Sequence, residues 1–290
     1  MIVPMNSPTA SSPSRRNFLG GLGALAAAAA SPGGAAAAAS GADAGGLKLG
    51  VASYSFRAFQ RRAAINLTKK LGVSYINIKD FHMAMNLSPS ELRAASGEFA
   101  KAGLTILGGG TVDFKKDDEA DFKMKFEYAK NANMPLIVAA PSAETLPKLE
   151  KYVKQYNIKL AVHNHGTEDK IFPNPQAVLK IVKDMDPRVG CCVDIGHTVR
   201  TGVDIIETIR EVGPRLLDMH SKDLADFSSR DSQVVVGEGK MPIAGLFKEL
   251  IKMNYQGGVM LEYEIDEENP LPGMQRSFSY MRGVLAGLKA

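Results

Sequence analysis

A regular alternation of short apolar runs and longer amphipathic stretches extends from Leu47 to the C-terminal end of the sequence. The apolar runs read, in order, LKLGVASYSF, VSYINIKDFH, GLTILGGGT, MPLIVAAP, IKLAVHNHG, RVGCCVDIGH, RLLDMHSKDL and GGVMLEYEID. Strand-like runs separated by helical stretches are typical of parallel strands joined by helices. Eight such units within residues 47–290 match a (β/α)₈ TIM barrel in number and in length, so the sequence predicts that α/β fold.

The stretches between the apolar runs carry helix signals. SPSELRAASGEFAKAG, for example, offers Ser88 or Ser90 as a helix cap and Gly103 as a stop. A doubly wound open sheet is the rival architecture for such an alternation. It would be favoured by a Gly-x-Gly-x-x-Gly turn after the first strand, where the sequence has ASYSFRAFQ instead. The barrel is therefore the preferred prediction.

The first 46 residues have the layout of an export signal. In SPSRRNFLGGLGALAAAAA, Arg15 and Arg16 precede a weakly apolar run, and small residues at 40–42 suit cleavage. The paired arginines look like a twin-arginine signal. The alternatives are a disordered Ala-rich tail and a retained membrane anchor, although the short Ala-rich run is a poor membrane span. We predict a twin-arginine signal peptide and Ala-rich linker at 1–46 and a TIM barrel at 47–290.

This signal predicts a periplasmic or secreted protein, with the twin-arginine export machinery as its partner. That route carries proteins already folded, so a metal can be loaded before export. The formal charge of +4 gives no support for nucleic-acid binding. Cys191 and Cys192 are adjacent, which leaves no disulfide framework, and we expect them to face opposite sides of one strand.

All five histidines of the chain end or follow predicted strands. His82 follows the second strand, His163 and His165 end the fifth, His197 follows the sixth and His220 ends the seventh. The active site of a TIM barrel lies at the C-terminal ends of its strands. The histidines are therefore expected together at the catalytic face.

Carboxylates occur at the same strand ends. Asp194 ends the sixth strand, and Glu262 and Glu264 end the eighth. Strand residues two apart share a face, and burying an unpaired charge is costly. A divalent ion held by mixed nitrogen and oxygen ligands would remove that cost. It would account for four residues, namely His163, Asp194, His220 and Glu262. The alternative is a buried ion-pair network of the same residues.

Beyond residue 46, the chain resembles the sugar phosphate isomerase/epimerase superfamily of xylose isomerase-like TIM barrels. The resemblance rests on VDIGH, MHSKD, VGEG and VMLEYE, in that order on consecutive units. It implies one divalent ion, commonly Mn, Co, Mg or Zn, held by Asp194, His220 and Glu262. The fourth ligand of the family is usually a glutamate in Glu-Asn-His, and His163 stands in its place in His-Asn-His.

The resemblance also implies a reaction. Family epimerases and ketose isomerases use two metal-bound glutamates, one to remove a proton beside a carbonyl and one to return it on the opposite face. Here Glu262 is the one carboxylate base left, so two-base epimerisation would need His165, His82 or Lys79 as a substitute. Proton transfer along one face, or loss of a leaving group, needs only Glu262 and an acid.

Supporting roles are expected around this centre. By the resemblance, His197 contacts the substrate or a ligand. Lys222 is expected to neutralise a developing oxyanion, and the alternative is a salt bridge with Glu264 or Asp223. Residues expected to contact the substrate are Lys79, His82, Glu238 and Glu264. The run at 108–110 is expected to leave space for the substrate, because no Lys-Ser/Thr follows it as in a phosphate loop.

Three functions are weighed on these grounds. The first is a metal-dependent sugar isomerase or epimerase, or a related lyase, acting on a sugar or polyol derivative. The predicted export favours a non-phosphorylated substrate over a sugar phosphate. The second is a metal-dependent hydrolase related to the abasic-site endonucleases, which use three zinc ions and more His and acidic ligands. The third is a non-catalytic sugar-binding barrel. Retention of the expected metal ligands Asp194, His220 and Glu262 argues against it. A homo-oligomer is compatible with each of them.

Overall fold

The computed structural model describes residues 46–289, so the predicted signal peptide and linker lie almost entirely outside the described residues. Eight parallel strands form a closed barrel, in which the first strand pairs with both the second and the last. The strands are β1 Lys48–Ala52, β2 Tyr75–Ile78, β3 Thr105–Phe114, β4 Leu136–Pro141, β5 Lys159–His163, β6 Val189–Asp194, β7 Leu216–Ser221 and β8 Gly258–Leu261. Each predicted apolar run coincides with one of these strands, although β3 extends beyond its run to Phe114, and the TIM-barrel prediction is confirmed.

Helices follow the strands and surround the barrel. They are α1 Arg61–Lys70, α2 Pro89–Lys101, α3 Glu119–Asn131, α4 Leu146–Tyr156, α5 Pro175–Val182, α6 Ile195–Val199, α7 Ile205–Val212, α8 Ile243–Lys252 and α9 Leu271–Gly287. The cap of α2 is Ser88, whose hydroxyl accepts the Glu91 N–H while the Glu91 carboxylate accepts the Ser88 N–H. Gly103 lies just beyond this helix with a φ of +79°, as its predicted stop role requires. Within residues 46–289, none of the helices is both long and apolar enough to cross a membrane.

The hydrophobic residues form an outer layer and an inner one. The outer layer packs the helices onto the sheet and includes Cys191. The inner layer fills the barrel, and its members are Leu136, Val138, Ala161, Cys192 and Leu217. The two cysteines are free and buried, and they belong to different layers, so they face opposite sides of β6 as predicted.

The glycines at 108–110 allow β3 to pass very close to both neighbouring strands. A Cβ atom on Gly109 would lie 2.8 Å from the Ile78 oxygen, and one on Gly110 would lie 2.1 Å from the Val138 oxygen. Gly110 also has a φ of +138°, which disfavours any residue with a side chain. The register of β3 shifts against both neighbours along this stretch. Backbone packing therefore requires these glycines, and Gly110 also borders the cavity described below.

The loop after β7 is held by one buried carboxylate. Residues Asp223–Leu224 pair antiparallel with Gln233–Val234. The Asp223 carboxylate accepts hydrogen bonds from four backbone N–H groups, those of Leu224, Gly237, Gly239 and Met241. Gln233 then joins the loop to the segment after β8, since its amide donates to the Glu262 carbonyl and accepts the Glu264 N–H. The loop is thus fixed beside the end of β8.

Candidate active site

Four buried side chains converge at the C-terminal ends of consecutive strands. His163 ends β5, Asp194 ends β6, His220 lies near the end of β7 and Glu262 directly follows β8. Each offers a nitrogen or oxygen atom, and these four atoms all lie within 4.8 Å of one another. Parallel pairing sets Asp194 beside His220, so the strand register itself brings donors together.

Short contacts identify the atoms that face one another. His163 Nε2 lies 3.0 Å from His220 Nδ1 and 3.7 Å from Asp194 Oδ2. His220 Nδ1 lies 3.3 Å from Glu262 Oε2. His163 Nδ1 is buried and has no hydrogen-bond partner among residues 46–289. The donors facing the shared point are therefore two imidazole nitrogens and two carboxylate oxygens.

The charges of these groups are strongly coupled. Burial and the neighbouring His220 hold the pKa of His163 well below its usual value, so His163 is neutral. Burial alone would lower the pKa of His220, but the Glu262 carboxylate outweighs it and raises the value to about 9. An ion bound through His220 Nδ1 would therefore have to displace a proton. Burial opposes ionisation of Glu262, yet His220 and Lys222 outweigh it and hold its pKa well below the usual range. Glu262 is therefore a carboxylate at neutral pH.

This donor set fits a divalent ion. Asp194 Oδ1 accepts the His197 N–H at 2.8 Å, whereas the buried Oδ2 faces the other donors, 3.7 Å from His163 Nε2 and 2.9 Å from Lys222 Nζ. Two buried carboxylate oxygens that face two imidazole nitrogens form a typical ion-binding arrangement. Mixed nitrogen and oxygen donors suit ions such as zinc, cobalt or manganese.

Lys222 brings a buried positive charge to the same carboxylates. Its Nζ lies 2.9 Å from Asp194 Oδ2, 2.8 Å from Glu262 Oε2 and 3.3 Å from Glu264 Oε2. A Cβ atom on Gly196 would lie 2.7 Å from the lysine stem, so glycine there makes room for it. The expected salt bridge with Glu264 is present, whereas the Asp223 carboxylate is taken up by the backbone of its loop.

A cavity of about 710 Å³ opens at the donor cluster, where His163 and Glu262 border it. Besides His163 and Glu262, it is lined by most of the other predicted site residues, namely Lys79, His165, His197, Lys222 and Glu264. The His165 side chain is 39% exposed, and its ring lies 4.4 Å from that of His163. The expectation that His163 and His165 face the same side agrees with this position. Lys79 Nζ donates to the Thr111 carbonyl at 2.8 Å.

Two predicted substrate contacts lie elsewhere, which corrects that expectation. His82 is buried, with Nδ1 2.9 Å from the Ser53 hydroxyl and Nε2 within 3.2 Å of the Phe56 and Phe59 carbonyls. Its ring therefore fastens the loop after β2 to the turn after β1. Glu238 accepts a hydrogen bond from Arg276 at 3.2 Å on the exposed side of α9. Neither residue borders the cavity.

Several site residues escaped the sequence reasoning. Arg200 borders the cavity, contacts the His197 ring and pairs with Glu168. Its place three residues after His197 in VDIGHTVR was the available signal. Asp218 is buried below His220 and accepts a hydrogen bond from Asn77 at 2.7 Å. Burial raises the pKa of Asp218 to about 7. In the sequence, Asp218 could have been recognised as an acidic residue two positions before His220, which places it on the same face of the strand.

Two family models match the chain. The model described as xylose isomerase-like TIM barrel matches residues 65–284. The model described as twin-arginine translocation pathway signal sequence matches residues 12–32. The first match covers most of the barrel, and the second includes the paired arginines.

Individual proteins give a similar picture. An inosose dehydratase of Mesomycoplasma hyopneumoniae is 28% identical over an alignment of 164 residues, and the match covers 50% of this chain and 54% of that protein. The chain thus spans about half the length of this curated relative. A solved IolI protein with a bound zinc atom is 19% identical with a TM-score of 0.70, covering 83% of this chain and 99% of its own. D-psicose 3-epimerase of Clostridium cellulolyticum H10, solved with D-tagatose, is 17% identical with a TM-score of 0.67, covering 82% and 99%. At these identities the two structures establish a shared fold.

Proposed function

Since the chain belongs to the xylose isomerase-like TIM barrel family, we propose that it is a divalent-metal-dependent enzyme acting on a sugar or polyol derivative. Its reaction starts with removal of a proton from a carbon next to a carbonyl. The observation that carries this proposal is the convergence of His163, Asp194, His220 and Glu262 at the cavity. When bound, the ion would supply Lewis-acid polarisation of the substrate carbonyl. Relatives named inosose dehydratase and D-psicose 3-epimerase support the substrate class.

Glu262 is the base in this proposal. It is ionised at neutral pH, and it borders the cavity. His163 is a poor second base because its Nε2 faces the other donors. A neutral imidazole that binds an ion through one nitrogen carries its proton on the other. His82 is fastened away from the cavity, and Lys79 is hydrogen-bonded to a carbonyl.

One carboxylate base favours a one-base reaction over two-base epimerisation. Such a reaction either returns the proton on the same face, as in an isomerase, or expels a group from the neighbouring carbon, as in a lyase. His165 borders the cavity with an exposed ring and can serve as the acid for the leaving group. We favour the lyase, because dehydration by the named relative is an elimination of this kind.

Hydrogen exchange in heavy water tests the proposed function. The purified protein is incubated with free, oxidised and glycosylated sugars, with and without added divalent ions, and deuterium at carbon is followed by NMR and mass spectrometry. We expect metal-dependent uptake at the carbon beside the carbonyl, together with loss of the neighbouring substituent if the enzyme is a lyase. Sugar binding with no exchange under any metal condition would instead identify a binding protein.

The signal match leads to a prediction about location. We propose that the chain is exported by the twin-arginine pathway and acts outside the cytoplasm. Replacing Arg15 and Arg16 with lysine should leave the folded precursor in the cytoplasm, as cell fractionation and immunoblotting would show. The matched control is the same change at the adjacent pair Arg61 and Arg62 in α1, which should leave export intact. Normal export of the Arg15→Lys/Arg16→Lys variant would contradict the assignment.

A further inference from the structure

His197 is held at two points, one on the backbone and one on the ring. Its backbone N–H donates to Asp194 Oδ1 at 2.8 Å, within the short helix α6 that Asp194 caps. Its ring borders the cavity, and Nδ1 lies 3.2 Å from Arg200 Nη1. The hydrogen bonds of His197 within the described residues use its backbone N–H and Nδ1 and leave Nε2 unused. One ring nitrogen is thus occupied by the protein, and the other is left for a ligand.

The contact with Arg200 fixes which nitrogen can carry the proton. A guanidinium group has only N–H donors and stays charged in proteins. His197 Nδ1 must therefore accept this hydrogen bond, and an accepting nitrogen keeps its lone pair. The proton of the neutral ring is then on Nε2. If both ring nitrogens were protonated, the N–H group at Nδ1 would face an N–H group of the guanidinium, and no hydrogen bond could form between them.

The guanidinium is itself firmly held. The Arg200 side chain is only 6% exposed, and its Nη2 pairs with the Glu168 carboxylate. Glu168 lies in the short turn after β5, which begins at Gly166. A Cβ atom on Gly166 would lie 3.1 Å from Arg200 Nη1 and 3.4 Å from His197 Nδ1. The turn after β5 and the helix after β6 are thus packed around this hydrogen bond.

We propose that Arg200 is a positioning residue that keeps His197 as the neutral tautomer with its proton on Nε2. His197 then donates a hydrogen bond from Nε2 to an oxygen atom of the substrate, and it takes no part as a base. The second statement rests on the proposed function, whereas the tautomer does not. The substrate class implied is one with a carbonyl or hydroxyl oxygen beside the Glu262 carboxylate.

Nitrogen-15 NMR of the imidazole rings tests the tautomer without any substrate. The chain has five histidines, so their ring signals can be assigned from single substitutions. In the unaltered protein, we expect His197 Nδ1 to show the shift of an unprotonated nitrogen and Nε2 that of a protonated one. A protonated Nδ1 would overturn the proposal, and this outcome needs no variant.

Variants then test whether Arg200 is the cause. Arg200→Met removes the donor but keeps a long stem, and it should produce a mixture of both His197 tautomers. Glu168→Gln is the matched control, because it removes the ion pair but leaves the guanidinium donor, and the tautomer should persist. The His82 ring signals report whether the barrel remains intact. An unchanged His197 tautomer in a folded Arg200→Met variant would refute the role of Arg200.

Kinetics separates this proposal from the proposed function. If the sugar panel yields a substrate, Arg200→Met should lower turnover about tenfold or more, in line with loss of an oriented donor, while the affinity for zinc stays unchanged. If the Arg200→Met variant kept the parent turnover although the His197 tautomer had changed, the proposed hydrogen bond from His197 Nε2 to the substrate would be contradicted. If no sugar reacts, the proposed function fails, and the NMR result still decides the tautomer.

Discussion

Glu262→Gln is expected to lower turnover by about 10²–10⁴-fold, the usual cost of losing a general base. Glutamine keeps the shape of the side chain and a neutral oxygen for the ion, but it cannot accept the substrate proton. The loss should be large because Glu262 is ionised in the parent through His220 and Lys222. Turnover and deuterium uptake would be measured with the metal in excess, so that weaker ion binding does not contribute.

Glu264→Gln provides the matched control. Glu264 lies two residues further on, is 40% exposed and also contacts Lys222, at 3.3 Å. The same chemical change there should have a much smaller effect on turnover. If metal-loaded Glu262→Gln exchanged the carbon-bound hydrogen at the parent rate, Glu262 would be only a ligand. The base would then be sought at His165 or Lys79, the remaining candidates that border the cavity.

Asp194→Ala is expected to release the metal and to abolish activity. The change removes Oδ2, the carboxylate oxygen that lies among the other donors. It also leaves the buried Lys222 with one counter-charge fewer. Outer residues of metal sites typically contribute about 10–100-fold in affinity, so loss of a direct ligand should exceed about 100-fold. Metal content after dialysis and titration calorimetry with zinc would measure this.

The helix-capping role of Asp194 must be separated from ion binding, since Oδ1 caps α6. Asp204→Ala is the matched control, because Asp204 caps α7 by accepting the Glu207 N–H at 2.9 Å and lies outside the donor cluster. It should cost about 1 kcal/mol of stability and leave the zinc affinity unchanged. Retention of stoichiometric metal by a folded Asp194→Ala variant would show that the ligand set is wrong.

The strands were predictable because parallel barrel strands are buried on both faces and so form nearly continuous apolar runs. The exception in detail is β3, which continues through Gly110 to Phe114. Glycine has a low intrinsic preference for strands. The presence of Gly110 within β3 is explained by the close approach of the Val138 backbone, which leaves no room for a side chain. Local pattern carries no information about such a contact between strands.

The candidate site was predictable where its residues lie on strands or directly follow them. Alternation along a strand and the rule of C-terminal ends were enough to bring His163, Asp194, His220 and Glu262 together. His82 lies in a loop, and its direction depends on carbonyl groups of a distant turn. Glu238 likewise lies in a loop whose course Asp223 sets through hydrogen bonds to the backbone. Loop residues of this kind need the tertiary structure.

Closure of the barrel determines when the site can be complete. The donors occur along the chain in the order His163, Asp194, His220 and Glu262. Glu262 directly follows β8, which pairs with β7 and also with β1 from the opposite end of the barrel. During synthesis, the ribosome therefore delivers the last donor together with the strand that joins the two ends of the sheet. Sealing of the sheet and completion of the donor set thus both require the last strand, so a nascent chain shorter than 258 residues can have neither.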